Sequence, residues 1–107
     1  MTIKPVVLRE RASEDIANAV DPYAVAAGTR IATGFVDALE AALRHIARHP
    51  RSGSPRFAHE LDLPGLRNWS LKRYPYLVFY IEREDHVDLW RLLHAKQDVP
   101  AWLQESD

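Results

Sequence analysis

The sequence predicts an α+β fold: an N-terminal strand, an antiparallel helical hairpin, a three-stranded antiparallel sheet and a short C-terminal helix. Three observations predict it. Apolar residues recur at helical spacing through the first half of the chain, most clearly at Ile31, Phe35, Ala38, Leu39, Ala42 and Ile46. A nearly continuous apolar and aromatic run, Tyr76-Leu77-Val78-Phe79-Tyr80-Ile81, stands in the second half between two further strand-like stretches. Helical and strand patterns are grouped rather than alternating, which argues for α+β over α/β, with the helix pair covering one face of the sheet.

Lys4 to Arg9 read as the first strand, since Val6 and Leu8 alternate with Val7 and Arg9. Ser13 is placed as the cap of the first helix, with Glu14 and Asp15 serving the positive end of its dipole. Ala12, Ile16, Ala19, Val20, Tyr23 and Ala27 then follow at helical spacing. Pro22 removes a backbone donor and disfavours the helical region for Asp21, so a kink, or a stop and restart, is expected there. Gly28 ends the segment, and the short link makes the two helices an antiparallel hairpin. Arg44, His45, Arg48 and His49 crowd the end of the second helix, where cations suit the dipole, and Pro50 stops it.

Arg51 to Arg56 carry turn chemistry, and the stretch to Pro64-Gly65 shows no regular period. Strands are expected at Leu66 to Leu71, Tyr76 to Ile81 and Val87 to Leu93, the last two joined by a polar hairpin turn at Glu82 to Asp85. The middle strand should be covered on both faces. Asp98 and Pro100 suit the cap and first turn of a short terminal helix.

With 107 residues the expectation is one domain over 1–107. A chain 47% hydrophobic and 27% charged can build a core, so disorder over its whole length is excluded. The absence of cysteine rules out disulfides, thiolate nucleophiles and zinc–thiolate sites, and fits a reducing cytosol. The apolar run near the N-terminus is too short and too soon charged for a signal peptide, and no run reaches the ~18 residues of a membrane span. The net charge of −1 hides an asymmetry: six acids against two bases from Glu10 to Glu40, then seven bases against two acids from Arg44 to Arg73. A basic middle segment either meets an anionic partner or is a solvated loop and helix end.

Catalytic motifs are few. The four glycines are scattered, so there is no phosphate loop. His45 and His49 share a helix face, but a metal site would want a third ligand, and both suit a helix C-terminus. No metal or cofactor is expected. Ser13, Ser52, Ser54, Ser70 and Ser106 lack a nucleophile-elbow context. Arg67 and Arg91, within strand candidates, either point to solvent or present a fork to phosphate. Trp69 and Trp90 read as core. Trp102 is either an anchor for the terminal segment or an exposed target contact.

Gly65-Leu66-Arg67, then Arg73-Tyr74-Pro75-Tyr76-Leu77-Val78-Phe79-Tyr80, then Leu92-Leu93-His94-Ala95-Lys96-Gln97-Asp98 resemble the C-terminal half of ParE toxins. Ala12, Asp15 and Ile16 match the start of that family's first helix, and His49, Pro50 and Gly53 match the end of its second. The resemblance implies the ParE/RelE-like fold and a cytoplasmic toxin of a type II toxin–antitoxin system, of the plasmid-stabilisation kind. It implies neutralisation, in a hetero-oligomer, by a cognate ParD-like antitoxin with a ribbon-helix-helix part. It also implies inhibition of DNA gyrase by binding rather than by catalysis.

The RelE branch shares the fold and cleaves messenger RNA on the ribosome. That chemistry needs cations for the developing phosphorane-like charge and a group to move the 2′-hydroxyl proton. Arg67, His94 and Lys96 are the residues available for those roles. Against this alternative, no tyrosine follows Tyr80, and His59, Glu60 and Asp62 stand where a lysine pair would precede Arg67. A third class is an interaction module without toxicity. For a binding toxin, an apolar sheet–helix groove should take an amphipathic antitoxin helix. Arg44, Arg48, Arg51, Arg56, Arg67 and Trp102 are the candidates for antitoxin or target contact.

Overall fold

The computed structural model describes residues 3–26 and 29–104. The expectations for Tyr23, Ala27, Gly28 and Ser106 fall outside the described residues and side chains. In chain order the elements are β1 (Val6–Leu8), α1 (Glu10–Ala26), α2 (Thr29–Arg48), a 3-10 turn (Pro50–Ser52), α3 (Arg56–Glu60), β2 (Leu66–Ser70), β3 (Tyr76–Glu82), β4 (Val87–His94) and α4 (Val99–Gln104). The sheet order is β1-β4-β3-β2. The three expected antiparallel strands are present, and β1 adds to them in parallel with β4, pairing Val6 with Val87 and Leu8 with Leu89. The sheet is therefore four-stranded and mixed. A parallel pair needs a long connection, which everything between β1 and β4 supplies.

Three local expectations are corrected. The first helix starts at Glu10, before Ser13, whose N–H already donates to the Arg9 carbonyl at 3.1 Å. Arg9 itself still donates to Leu89 in the sheet, so the chain passes from ladder to helix with no room for a loop. Of the two outcomes expected at Pro22, a kink or a stop and restart, the second does not occur, since the helix runs on to Ala26. The ladder bond lost there is outweighed by the packing of α1 on α2 and β4. The irregular stretch after Pro55 contains α3, a single turn with one buried anchor, Phe57. One apolar residue per turn leaves no period to read.

The sheet is covered on both faces, as the Tyr76–Ile81 run suggested. Phe35, Leu39 and Ile46 of α2 and Ala12 and Ala19 of α1 pack against Val78 and Tyr80. Val99 and Leu103 of α4 and Phe57 of α3 cover Phe79 and Ile81 on the other side. β4 does not alternate, because a bulge opposes Tyr80 to Leu89 but Phe79 to Arg91, leaving Trp90 as the extra residue. The bulge changes the phase of the strand. Val87 and Leu89 before it, and Leu92 after it, all face the helical hairpin, while Trp90 and Leu93 face α4.

At the bulge lies the main buried charge. Arg91 is 1% exposed and neither points to solvent nor offers its fork to phosphate. Its Nε and Nη2 donate to the Asp15 carboxylate at 2.6 and 2.8 Å, and its Nη1 donates to the Trp102 carbonyl at 3.1 Å. Asp15 also accepts from the Leu92 N–H at 3.1 Å. β1 ends opposite Leu89, so the carboxylate satisfies the edge of β4 where no strand lies alongside. Asp15 thus does more than complement a helix dipole. At the other end of β4, Asp88 accepts from Arg9, Arg83 and the Trp90 indole. Burial pushes the Asp88 carboxyl up, and its two arginines more than reverse this, leaving it below the ordinary range.

The loop after α2 is held by Tyr80. Its buried hydroxyl donates to the Pro50 carbonyl at 2.8 Å and accepts from the Gly53 N–H at 3.1 Å. Burial raises the Tyr80 pKa above its ordinary value, against the lowering effect of the Gly53 bond. Gly53 has an ordinary extended backbone (φ −67°, ψ 156°), so its requirement is space. A Cβ there would overlap the Tyr80 hydroxyl and stand 2.9 Å from the Asn68 carbonyl. Ser54 beyond it bridges Asn68 through two backbone hydrogen bonds of 2.9 and 3.0 Å.

Removing Asp15 strands a buried guanidinium. Asp15→Ala should lower the unfolding free energy by about 3–5 kcal/mol in urea titrations, and an apolar pair such as Asp15→Leu with Arg91→Met should recover part of the loss, the Leu92 N–H and the Trp102 carbonyl remaining without these partners. A cost below about 1 kcal/mol for Asp15→Ala would show that Arg91 is compensated elsewhere. For the loop, Tyr80→Phe should cost about 1–3 kcal/mol by orphaning one donor and one acceptor. Gly53→Ala should also destabilise, but less in the Tyr80→Phe background, where the overlapping oxygen is gone. Additive costs in that cycle would refute the steric account.

Candidate functional site

β2 is an edge strand, and α2 overhangs it. Between them a groove of about 640 Å³ opens, floored by Gly34, Ala38 and Ala42 of α2 and walled by Trp69 and Tyr74. Its shape follows from the packing beneath. Phe35 holds Tyr74 and Tyr76 in edge-to-face contacts at 5.4 and 5.3 Å, which draws the β2–β3 turn toward α2. Gly34 permits this approach, since a Cβ there would lie 2.6 Å from the Tyr74 hydroxyl. Arg73 in the turn takes a left-handed backbone, φ 70°. At the other end of the groove the His45 imidazole lies flat on the Trp69 indole, centroids 4.1 Å apart and planes 20° from parallel. Lys72, Arg73 and Asp37 border the opening. The result is an open apolar trough with aromatic walls and a mainly cationic rim, suited to an amphipathic segment of a partner.

The four arginines expected to form a basic surface are all exposed. Arg44 lies 3.9 Å from Glu40, and Arg51 lies 3.4 Å from Glu82. Arg56 stacks on Phe57 with its guanidinium 5.0 Å from the ring centre. Pairs this exposed contribute little energy and leave the positive field available to a partner. Glu82 also accepts from Lys4 at 2.9 Å, and these bonds, that from Lys4 foremost, hold its carboxyl below the ordinary range. Trp102 is 39% exposed on α4, its ring 5.6 Å from the Arg91 guanidinium and its carbonyl bonded to Arg91.

Arg67, His94 and Lys96 do not converge. Arg67 pairs with Tyr80 and His94 with Tyr76, so four residues of β3 and two strand spacings separate them. At ~3.3 Å per residue and ~4.8 Å per strand this is about 16 Å between Cα atoms. The Arg67 guanidinium is also committed to the Gly53 carbonyl at 2.8 Å. His94 closes the last strand: its N–H donates to Gln97 Oε1 at 2.6 Å, and its Nδ1 accepts from the Lys96 N–H at 3.0 Å. A second groove, of about 520 Å³ between α3 and α4, carries Arg56 but also Glu60 and Asp98, a poor setting for a phosphate under attack. The His45 and His49 rings lie 5.2 Å apart, yet among the described residues no group of three or more His, Asp or Glu side chains is arranged to hold a metal. No described helix is long and apolar enough to cross a membrane.

Sequence reasoning missed the His45–Trp69 stack and the Asp15–Arg91 pair, because both join residues far apart in the chain. Gly53 and Tyr80 were each noticed in a motif, but nothing local shows that they touch.

No curated protein matches the sequence. Among solved structures, a chain of a chromosomal ParDE TA system from P. aeruginosa superposes with a TM-score of 0.73 and 18% identity, over 88% of this chain and 98% of that one. At that identity the likeness is one of fold. Residues 6–99 match the family described as ParE toxin of type II toxin-antitoxin system, parDE, and since these residues span all but the two ends of the chain, the protein belongs to the ParE toxin family.

Proposed function

We propose that this ParE-family chain is a toxin that poisons DNA gyrase by binding and is neutralised by a ParD-like antitoxin in a cytoplasmic hetero-oligomer. The observation that carries a binding role is the groove between α2 and β2, with its floor of small residues, its Trp69 and Tyr74 walls and its cationic border. An amphipathic helix of the antitoxin, downstream of its ribbon-helix-helix part, lays its apolar face into this trough and its acidic residues against the rim. The exposed Arg44, Arg48, Arg51 and Arg56 extend the positive field and serve either the antitoxin or the DNA held by gyrase. Arg67 supports the Gly53 loop, and Trp102 offers a partly exposed aromatic contact to the target.

Support for binding rather than RNA cleavage comes from the separation of Arg67 from His94. With their Cα atoms about 16 Å apart and the Arg67 guanidinium bonded to the Gly53 carbonyl, the two do not converge on one phosphate position, whereas general acid–base chemistry requires groups within hydrogen-bond reach of it.

The deciding experiment is a supercoiling reaction with gyrase, relaxed plasmid and ATP. Addition of the chain should stop supercoiling and accumulate gyrase-linked broken DNA, and the antitoxin should reverse both. Normal supercoiling at excess toxin would refute the gyrase reading for the enzyme tested and direct attention to ribosome-dependent RNA cleavage, with Arg67, His94 and Lys96 the first positions to substitute. Replacing Arg44, Arg48, Arg51 and Arg56 together by glutamine should weaken binding to antitoxin or to gyrase–DNA by about tenfold or more, with a reduced salt dependence. Unchanged affinity for both would remove the arginine surface from the proposal.

A further inference from the structure

His45 stands at the end of the groove with its protonation chemistry constrained by its neighbours. The Ser52 hydroxyl has a single hydrogen, and it donates this to the His49 carbonyl at 2.7 Å. In the 2.9 Å contact between Ser52 Oγ and His45 Nε2 the serine must therefore accept, so Nε2 carries a proton. The proton that His45 gains or loses is then the one on Nδ1, which has no hydrogen-bond partner among the described residues. The ring cannot easily turn away, since it is stacked on Trp69 and tethered by Ser52. Protonation places a full positive charge on the face of an indole, a favourable site for a cation.

The charged and titratable groups packed about this ring are Asp37, Glu40, Arg44 and Arg48 on α2, His49 just after it, Arg51 in the following turn, Arg67 on β2, and Lys72 and Arg73 at the groove border. Cations outnumber carboxylates, so an occupant that brings a carboxylate to this end supplies what the groove lacks. Resting on the reading that an antitoxin helix fills the groove, we propose that His45 is a pH-dependent specificity residue: doubly protonated, it pairs through Nδ1 with a carboxylate of that helix, so the toxin–antitoxin complex tightens as pH falls. Histidine is the side chain type whose charge ordinarily changes between about pH 5 and 8. The sign is set by linkage. A carboxylate beside the ring favours its charged form in the complex, so the added affinity is present at low pH and is lost as pH rises and the bound imidazole gives up its proton.

The test titrates the full chain with its ParD-type antitoxin at about pH 8 and about pH 6, using native protein and His45→Gln. Native protein should bind about five- to tenfold more tightly at the lower pH, and His45→Gln should bind at both with that ratio reduced to within about twofold. In parallel, imidazole 13C and 15N shifts of His45 should show the Nε2–H tautomer in the free chain and a raised pKa in the complex, a signature that a purely structural histidine would not give. Equal native affinities at the two pH values, an undiminished ratio in His45→Gln, or a free-chain Nδ1–H tautomer would overturn the inference while leaving groove docking intact. Failure of the native chain to bind the antitoxin at either pH would instead overturn the reading on which it rests.

Discussion

Arg91 and Asp15 form the interaction on which the arrangement of this fold depends. Among the described residues, Arg91 is the largest side chain buried fully, and it is charged. A buried guanidinium is tolerated only when its charge is balanced and its donors are used. Asp15 balances it through two hydrogen bonds, and the Trp102 carbonyl takes another. Three elements are thereby fixed to one side chain: α1 through Asp15, β4 through Arg91 itself, and α4 through Trp102. The same carboxylate occupies the β4 edge just beyond β1, accepting the Leu92 N–H. Such a pair adds little net stability compared with an apolar substitute, while removal of either partner leaves a buried charge uncompensated.

The bulge at Trp90 lets Arg91 reach sideways between α1 and α4. Without the phase change, Arg91 would fall on the face already taken by Val87 and Leu89, where the helical hairpin packs. With it, Leu92 takes that place and the guanidinium lies where a helix carboxylate and a helix carbonyl can both reach it. The Tyr80 clamp acts similarly at the other side of the sheet. One hydroxyl holds the Pro50–Gly53 loop, Gly53 leaves room for it, and Arg67 bonds the Gly53 carbonyl. The loop so fixed carries Ser52, which orients His45 against Trp69 at the end of the groove.

These supports lie beneath the exposed surfaces of the protein. The buried polar groups hold helices and a loop in place, while the exposed arginines and the groove beside α2 face solvent. Membership of the ParE toxin family accords with that division. Within the sheet, the register sets Arg67 opposite Tyr80 and His94 opposite Tyr76, four residues apart along β3.

The sequence by itself determined the elements and their inner faces. The stripe from Ile31 to Ile46 specifies a helix, the run from Tyr76 to Ile81 a strand covered on both sides, and Asp98 with Pro100 a helix start, where the Ala101 N–H lies 3.4 Å from Asp98 Oδ1. Periods of 3.6 and 2 are local properties, carried by neighbours in the chain. Only the tertiary structure decided that Arg91 meets Asp15 across 76 positions, that Trp90 shifts the phase of β4, that Gly53 makes room for Tyr80, and that Arg67 and His94 lie apart. Those outcomes depend on strand order, on a register set by one extra residue, and on packing distances between helices. None of these is encoded in the spacing of any one segment; each is settled only when all the faces are buried together.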